Sequence, residues 1–175
     1  FRQVLPVFAS WGRWNAYVST LNGIGACLLR LGRLDEARRE YAKALRGVGR
    51  EARPAVHAFV RANLARSLFE GRRWTEAARA FEAAARLFAF QGATADELSM
   101  QLLRVESLAR SGSLAAARDV VARVSERVRT LGLVDPDLVA SLEAALQGDL
   151  PDVDLVETLR SRAQEQIMES LPRAV

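Results

Sequence analysis

The sequence predicts an all-α chain built from antiparallel helix pairs stacked one on the next, and three observations predict it. Alanine, leucine and arginine, all strong helix formers, dominate the composition, while the valines are scattered and never build a sustained alternating run. Apolar residues recur at helical spacing and are interrupted at intervals by glycine. Similar residue types return every 40 positions.

The period shows in several registers at once. Ala37, Ala77 and Ala117 share one; four residues on stand Tyr41, Phe81 and Val121, with Phe1 fitting before them. Ala44 and Ala84 align with Val124 and Val4, and Phe8, Val48, Phe88 and Val128 form a further series. Gly12, Gly92 and Gly132 repeat likewise, with Ala52 replacing glycine in the second repeat.

Taken in order, the elements begin with a partial helix at 1–10. The first pair, 14–31 with 34–49, carries the stripe Leu21, Ile24, Gly25 and Leu28, whose i, i+3, i+4, i+7 spacing faces a neighbour. A break at Gly32 and then Leu34 starts its second helix. The second pair, 53–70 with 74–91, opens on Pro54, which suits a first helical turn, and keeps Leu64, Ala65 and Leu68; Arg61 stands where the first pair has Leu21, and Gly71 and Trp74 mark the break. The third pair, 94–111 with 114–131, opens on Thr94 and Glu97 at capping-box spacing and breaks at Gly112 before Leu114.

Asp135 and Pro136 give a good start to the final pair, 136–147 with 152–170. Here Glu157 replaces the register alanine and Ser161 the aromatic residue, as expected of a divergent cap whose outer face must be polar. The expected organisation is therefore one helical-repeat domain over 1–175: a remnant of a preceding repeat at 1–13, repeats at 14–52, 53–92 and 93–132, and a capping pair at 133–175. Because Phe1 lies 40 residues before Tyr41, the chain starts in phase with the middle of a second helix, and we expect a fragment of a longer protein.

Half the residues are hydrophobic and 26% are charged, the balance of an ordered soluble protein. A single Cys27 excludes an internal disulfide framework and suits a reducing compartment. No apolar stretch approaches the roughly 18 residues of a membrane span, so a cytoplasmic protein without membrane contact is expected. Of 25 basic residues only Lys43 is lysine, and they are unevenly placed: residues 1–91 carry +9 and residues 92–175 carry −5. Such polarity can steer an acidic partner to the first half or favour head-to-tail contact between copies.

The residue types of a catalytic centre never assemble. His57 has no histidine or cysteine partner for a metal set and reads as a surface or cap residue. Cys27, inside an apolar helix, reads as a packed thiol. Asp149, Asp152, Asp154 and Glu157 lack the glycine and spacing of a calcium loop and read as caps. Gly23 and Gly25 follow no strand and precede no lysine in phase, so they do not form a phosphate loop. Trp11, Trp14 and Trp74 read as core or linker anchors. The arginines are spread over several helices and not interleaved with exposed aromatics, so nucleic acid is not an expected partner. We expect no catalytic, cofactor or metal site.

Leu21, Ile24, Gly25, Leu28, Gly32, Ala37, Tyr41 and Ala44 resemble the tetratricopeptide-repeat signature almost position by position. Leu64, Ala65, Leu68, Trp74, Ala77, Phe81 and Ala84 are similar to it in the second repeat, and Val105, Leu108, Gly112, Ala117, Val121 and Val124 more weakly in the third. The repeats here are longer than the usual length of about 34 residues and lack the customary proline after the second helix. Long, arginine-rich repeats of this kind resemble the arrays of bacterial multidomain regulators of the MalT-like and STAND types.

The resemblance implies a right-handed α–α superhelix, a solenoid in which the first helix of each pair lines a concave face. On that face it places Ser19, Asn22 and Arg30 from the first repeat, Phe59, Asn63 and Arg66 from the second, and Ser99, Glu106 and Arg110 from the third. Asn63 precedes Leu64 and Ala65 where peptide-binding relatives place an asparagine that holds a ligand backbone. The family's carboxylate clamp is not implied, because its lysine and arginine positions hold Asn22, Ala26, Ser99 and Leu103. The implied function is a non-catalytic scaffold for a protein or peptide partner, acidic in keeping with the charge of the first half, as the interaction or sensory segment of a larger bacterial regulator. Two alternatives stay open: a self-associating scaffold forming homo-oligomers, and an accessory array of an ATP-dependent signalling enzyme or transcription regulator whose active domain lies elsewhere.

Overall fold

The structure, a computed structural model, describes residues 2–47, 53–148 and 151–170. A 3-10 turn at Arg2–Val4 leads into α1 (Leu5–Ser10), followed by α2 (Trp14–Arg30), α3 (Leu34–Gly47), α4 (Pro54–Glu70), α5 (Trp74–Phe90), α6 (Thr94–Arg110), α7 (Leu114–Leu131), α8 (Pro136–Ala145) and α9 (Val153–Glu169). Among the described residues there is no strand. The six helices from α2 to α7 start at 14, 34, 54, 74, 94 and 114, one every 20 residues. The register positions Phe1, Val48 and Ala52 lie outside the described residues.

The regular step has a local cause. At the ends of α1, α2, α4, α5 and α6 the residue after the cap takes a left-handed conformation, Gly12 (φ 63°), Gly32 (φ 71°), Arg72 (φ 56°), Gly92 (φ 69°) and Gly112 (φ 77°), and at the end of α7 the cap residue Gly132 (φ 63°) takes it itself. The next N–H then reaches a carbonyl five residues back, as in Arg33 to Leu28, Arg73 to Leu68 and Ser113 to Leu108, each at 2.9 Å. This is the Schellman closure, which satisfies the last helical carbonyls and normally selects glycine. In the second pair the helix breaks at Gly71 as expected, with Gly71 as the cap at φ −79°, and the left-handed position falls on Arg72.

Helix starts follow the sequence in part. Pro54 occupies the first turn of α4, and the Asp135 carboxylate caps α8 by accepting from the Asp137 N–H at 2.9 Å, with Pro136 next in line. The capping box at Thr94 and Glu97 does not form: Ala93 is the cap residue without a side-chain bond, and Glu97 instead accepts from the Arg127 guanidinium. A strong ion pair from α7 outcompetes a local cap worth about 1 kcal/mol.

The chain divides into two compact units, residues 1–92 and 93–175. In the first, α1 packs on α2, α2 on α3, α3 on α4, α4 on α5, and the two first helices α2 and α4 on each other. Val18, Leu21, Leu28, Ala37, Tyr41, Ala44 and Val60 form one buried cluster, and Ala77, Phe81, Ala84 and Phe88 of α5 are buried as well. Phe69 meets Trp74 and Phe81 edge-on, with ring centroids 5.1 and 6.1 Å apart. Each large side chain enclosed this way contributes about 1.5–3 kcal/mol before conformational entropy is counted.

In the second unit α6 packs on α7, α7 on α8 and α8 on α9, and α9 also packs on α6. Leu98, Leu102, Val105, Val121, Val124, Val128, Leu142 and Leu146 share one core with Val156, Leu159, Ala163 and Ile167 of α9. Counted from its own start, α9 carries Val156, Arg160 and Ala163 where α3 carries Ala37, Tyr41 and Ala44. An arginine therefore stands in the aromatic register, and its target decides what becomes of the α6 face.

Candidate binding faces

The first-unit candidates come from α2 and α4. Ser19, Arg30 and Arg66 are exposed, Asn22 and Asn63 are half-buried, and Phe59 is 48% exposed with its ring edge-on to Phe88 at 5.2 Å. Asn63 Nδ2 donates to Asn22 Oδ1 at 3.0 Å, so the two helices bring both amides together. Each amide has more donors and acceptors than this single bond uses, and can still pair with an extended peptide backbone. Cys27, expected to be packed, is exposed on α2.

Tyr41 of α3 packs against Gly25 of α2 and is fully buried, with a hydroxyl that has no hydrogen-bond partner. Burial pushes its pKa up to about 12, against the pull of the Arg66 cation, with Cys27 adding a smaller upward push. His57 is half-buried and its Nε2 accepts from Arg61 Nε at 2.8 Å. Burial, and then the Arg61 charge, push its pKa below the ordinary imidazole value, so at neutral pH it is an uncharged acceptor and not a helix cap.

The second-unit candidates are placed differently from the expectation of an open face. Ser99 is buried, Glu106 is 0% exposed and Arg110 is half-buried. Helix α9 lies against them. Glu106 accepts from Arg110 Nε and from Arg160 Nε, both at 2.7 Å. Arg110 also donates to Glu157 at 2.6 Å, Arg160 donates to Gln164, and Gln164 donates to the Ser99 carbonyl at 3.0 Å. A buried carboxylate must be paired or pay a desolvation penalty of several kcal/mol, and Arg160 supplies the second partner. Ser99, Glu106 and Arg110 thus form an internal seam with α9, which covers this side of α6.

The sequence reading missed Arg160, Glu157 and Gln164 as partners of that seam. Their i, i+3, i+7 spacing puts all three on one side of α9, and that polar stripe alongside Val156, Leu159 and Ala163 was the available signal. The acidic cluster resolves into separate roles: Asp152 caps α9 by accepting from the Leu155 N–H at 2.9 Å, Glu157 pairs with Arg110, and Asp149 lies outside the described residues. Among the described residues no three histidine, cysteine or acidic side chains form a group that could hold a metal ion.

Of the tryptophans, Trp74 is a packed anchor as expected. Trp11 is 69% exposed and Trp14, edge-on to Tyr17 at 5.7 Å, is 37% exposed, so the anchor reading does not hold for Trp11. No helix among the described residues is long and apolar enough to cross a membrane. Compared with family models, with curated proteins and with solved structures, the chain matches none.

Proposed function

We propose that the helix pairs stack as a right-handed solenoid of tetratricopeptide-like repeats, and that the chain is a non-catalytic scaffold that holds an extended acidic peptide of a partner protein on α2 and α4. One observation carries this reading: two amides, Asn22 and Asn63, meet across adjacent first helices at 3.0 Å, flanked by the exposed cations Arg30 and Arg66. Paired amides fix a backbone without regard to sequence, and the cations select for carboxylates. The net +9 of residues 1–91 adds long-range attraction for the same class of ligand. Repeats of this kind fit the interaction or sensory segment of a bacterial cytoplasmic regulator. With Ser99, Glu106 and Arg110 taken up by α9, the site reduces to the first unit.

A labelled library of acidic and neutral peptides tests the reading. Acidic peptides bind the wild-type chain, and Asn63→Ala and Arg66→Glu each weaken binding about tenfold or more, the loss of roughly one charge-assisted contact. Unchanged affinity in both variants, or no preference for acidic sequences, overturns it.

A second reading, self-association, is favoured by the charge division, because +9 and −5 fall on the two compact units. Mass in solution at low and high salt separates the two: a salt-sensitive oligomer supports self-association, and a monomer at both supports the peptide scaffold.

A further inference from the structure

We propose that the edge of the first unit carrying Trp11, Arg13, Trp14 and Arg53 binds single-stranded nucleic acid, at a site separate from the α2–α4 peptide face. In the sequence, nucleic acid is set aside because arginines and exposed aromatics do not interleave. In the folded chain they do. The turn at Gly12 (φ 63°) closes with the Arg13 N–H on the Phe8 carbonyl at 2.9 Å and leaves Trp11, Arg13 and Trp14 exposed side by side in sequence. Next to them is an open cavity of about 380 Å³ lined by Gly12, Arg13, Trp14, Asn15 and Ala16. The Arg53 N–H donates to Asn15 Oδ1 at 2.8 Å, which brings the exposed Arg53 to the same edge.

Among the described residues, neither guanidinium group is spent on a local ion pair. Five carboxylates of the first unit pair elsewhere: Asp35 with Arg38, Glu36 with Arg33, Glu40 with Arg2 and Lys43, Glu76 with Arg73, and Glu82 with Arg86. Among the described residues, no carboxylate pairs with Arg13 or Arg53. Indole faces stack on any base and arginines neutralise phosphates, which together make a sequence-tolerant strand-binding surface. A duplex hides its base faces in its own stack, so it cannot use Trp11 or Trp14. An acidic peptide could use the arginines but has nothing to place on the indoles.

The test is titration of the full chain with a short fluorescein-labelled oligothymidylate, reading anisotropy and tryptophan emission. We expect binding that quenches tryptophan emission and weakens with salt. Trp11→Ala weakens it about tenfold, the loss of one stacked base. Arg13→Ala with Arg53→Ala flattens the slope of log affinity against log salt by about 1.4, or about 0.7 per lost phosphate contact. Trp11 is mostly exposed, so its variant keeps wild-type helicity by circular dichroism. Failure to bind the oligonucleotide, unchanged affinity in Trp11→Ala, or equal binding of the matching duplex or of polyglutamate overturns the proposal. None of these outcomes bears on the Asn63 and Arg66 variants, so the two sites fail or stand separately.

Discussion

Across the α2–α3 pair the ring of Tyr41 rests on the backbone of Gly25 so closely that a Cβ on Gly25 would stand 2.5 Å from Tyr41 Cε1. The ring is fully buried and has nowhere to move. Gly25→Ala should therefore lower stability by about 1–3 kcal/mol, the usual cost of overpacking, in spite of alanine's better helix propensity. Gly23 sits two residues away with no heavy atom within 4 Å of its Cβ position, and Gly23→Ala should raise stability by about 0.5–1 kcal/mol. Denaturant titration of both variants checks this, and shifts of the same sign would refute the close approach.

The Tyr41 hydroxyl is buried without a partner, so Tyr41→Phe should be neutral or stabilise by up to about 1 kcal/mol at neutral pH. The raised pKa adds an alkaline signature. Between the ordinary value of 10.0 and about 12 the unfolded chain ionises this phenol while the folded chain does not, so stability falls as pH rises through that window. Tyr41→Phe should flatten the fall in melting temperature there.

Arg72 takes the left-handed position that glycine holds in the equivalent turns at Gly32 and Gly112. Arg72→Gly should relieve the strain and stabilise by about 1 kcal/mol, and Gly112→Arg should destabilise by a similar amount. Thermal melts of the two variants moving in the same direction would contradict the assigned turn.

Glu106 holds Arg110 and Arg160 in the buried seam between α6 and α9. Glu106→Gln should cost about 3 kcal/mol or more and be nearly insensitive to salt, because buried pairs are poorly screened. Replacing Glu106 and Arg160 together by leucine should recover most of the loss, since Arg110 keeps its pair with Glu157 and neither member of the Glu106–Arg160 pair is left buried alone. A cost under about 0.5 kcal/mol, typical of an exposed pair, would contradict the burial.

His57 has a folded pKa below its ordinary 6.5, through burial and then Arg61. Below pH 6.5 the unfolded chain takes up a proton that the folded chain does not, so this group's contribution is lost as pH falls. His57→Gln keeps an acceptor for Arg61 and should make the melting temperature flatter between pH 7 and pH 5; an unchanged profile would remove His57 from the account.

The helices were legible because their signals are local: apolar stripes at helical spacing and a helix stop every 20 residues. The left-handed position at Arg72 was hidden by the adjacent Gly71, which looks like the natural stop. Exposure of Cys27 and Trp11 depends on which neighbours cover α1 and α2, which no spacing records. The candidate face was legible where its contacts are near-repeats, as with Asn22 and Asn63. It was lost at Ser99 and Glu106, whose partners Gln164 and Arg160 lie 65 and 54 residues away on a helix that leaves the period. Long-range ion pairing of that kind overrides a repeat register without leaving a mark in it.

The central claim is that α2 and α4 present a peptide-binding face. Hydrogen–deuterium exchange of the full chain, with and without an acidic peptide selected from the library, tests it most directly. The account predicts new protection confined to the segments spanning Ser19–Arg30 and Phe59–Arg66. Protection that leaves those segments unchanged and appears instead on α6 and α9 would contradict it.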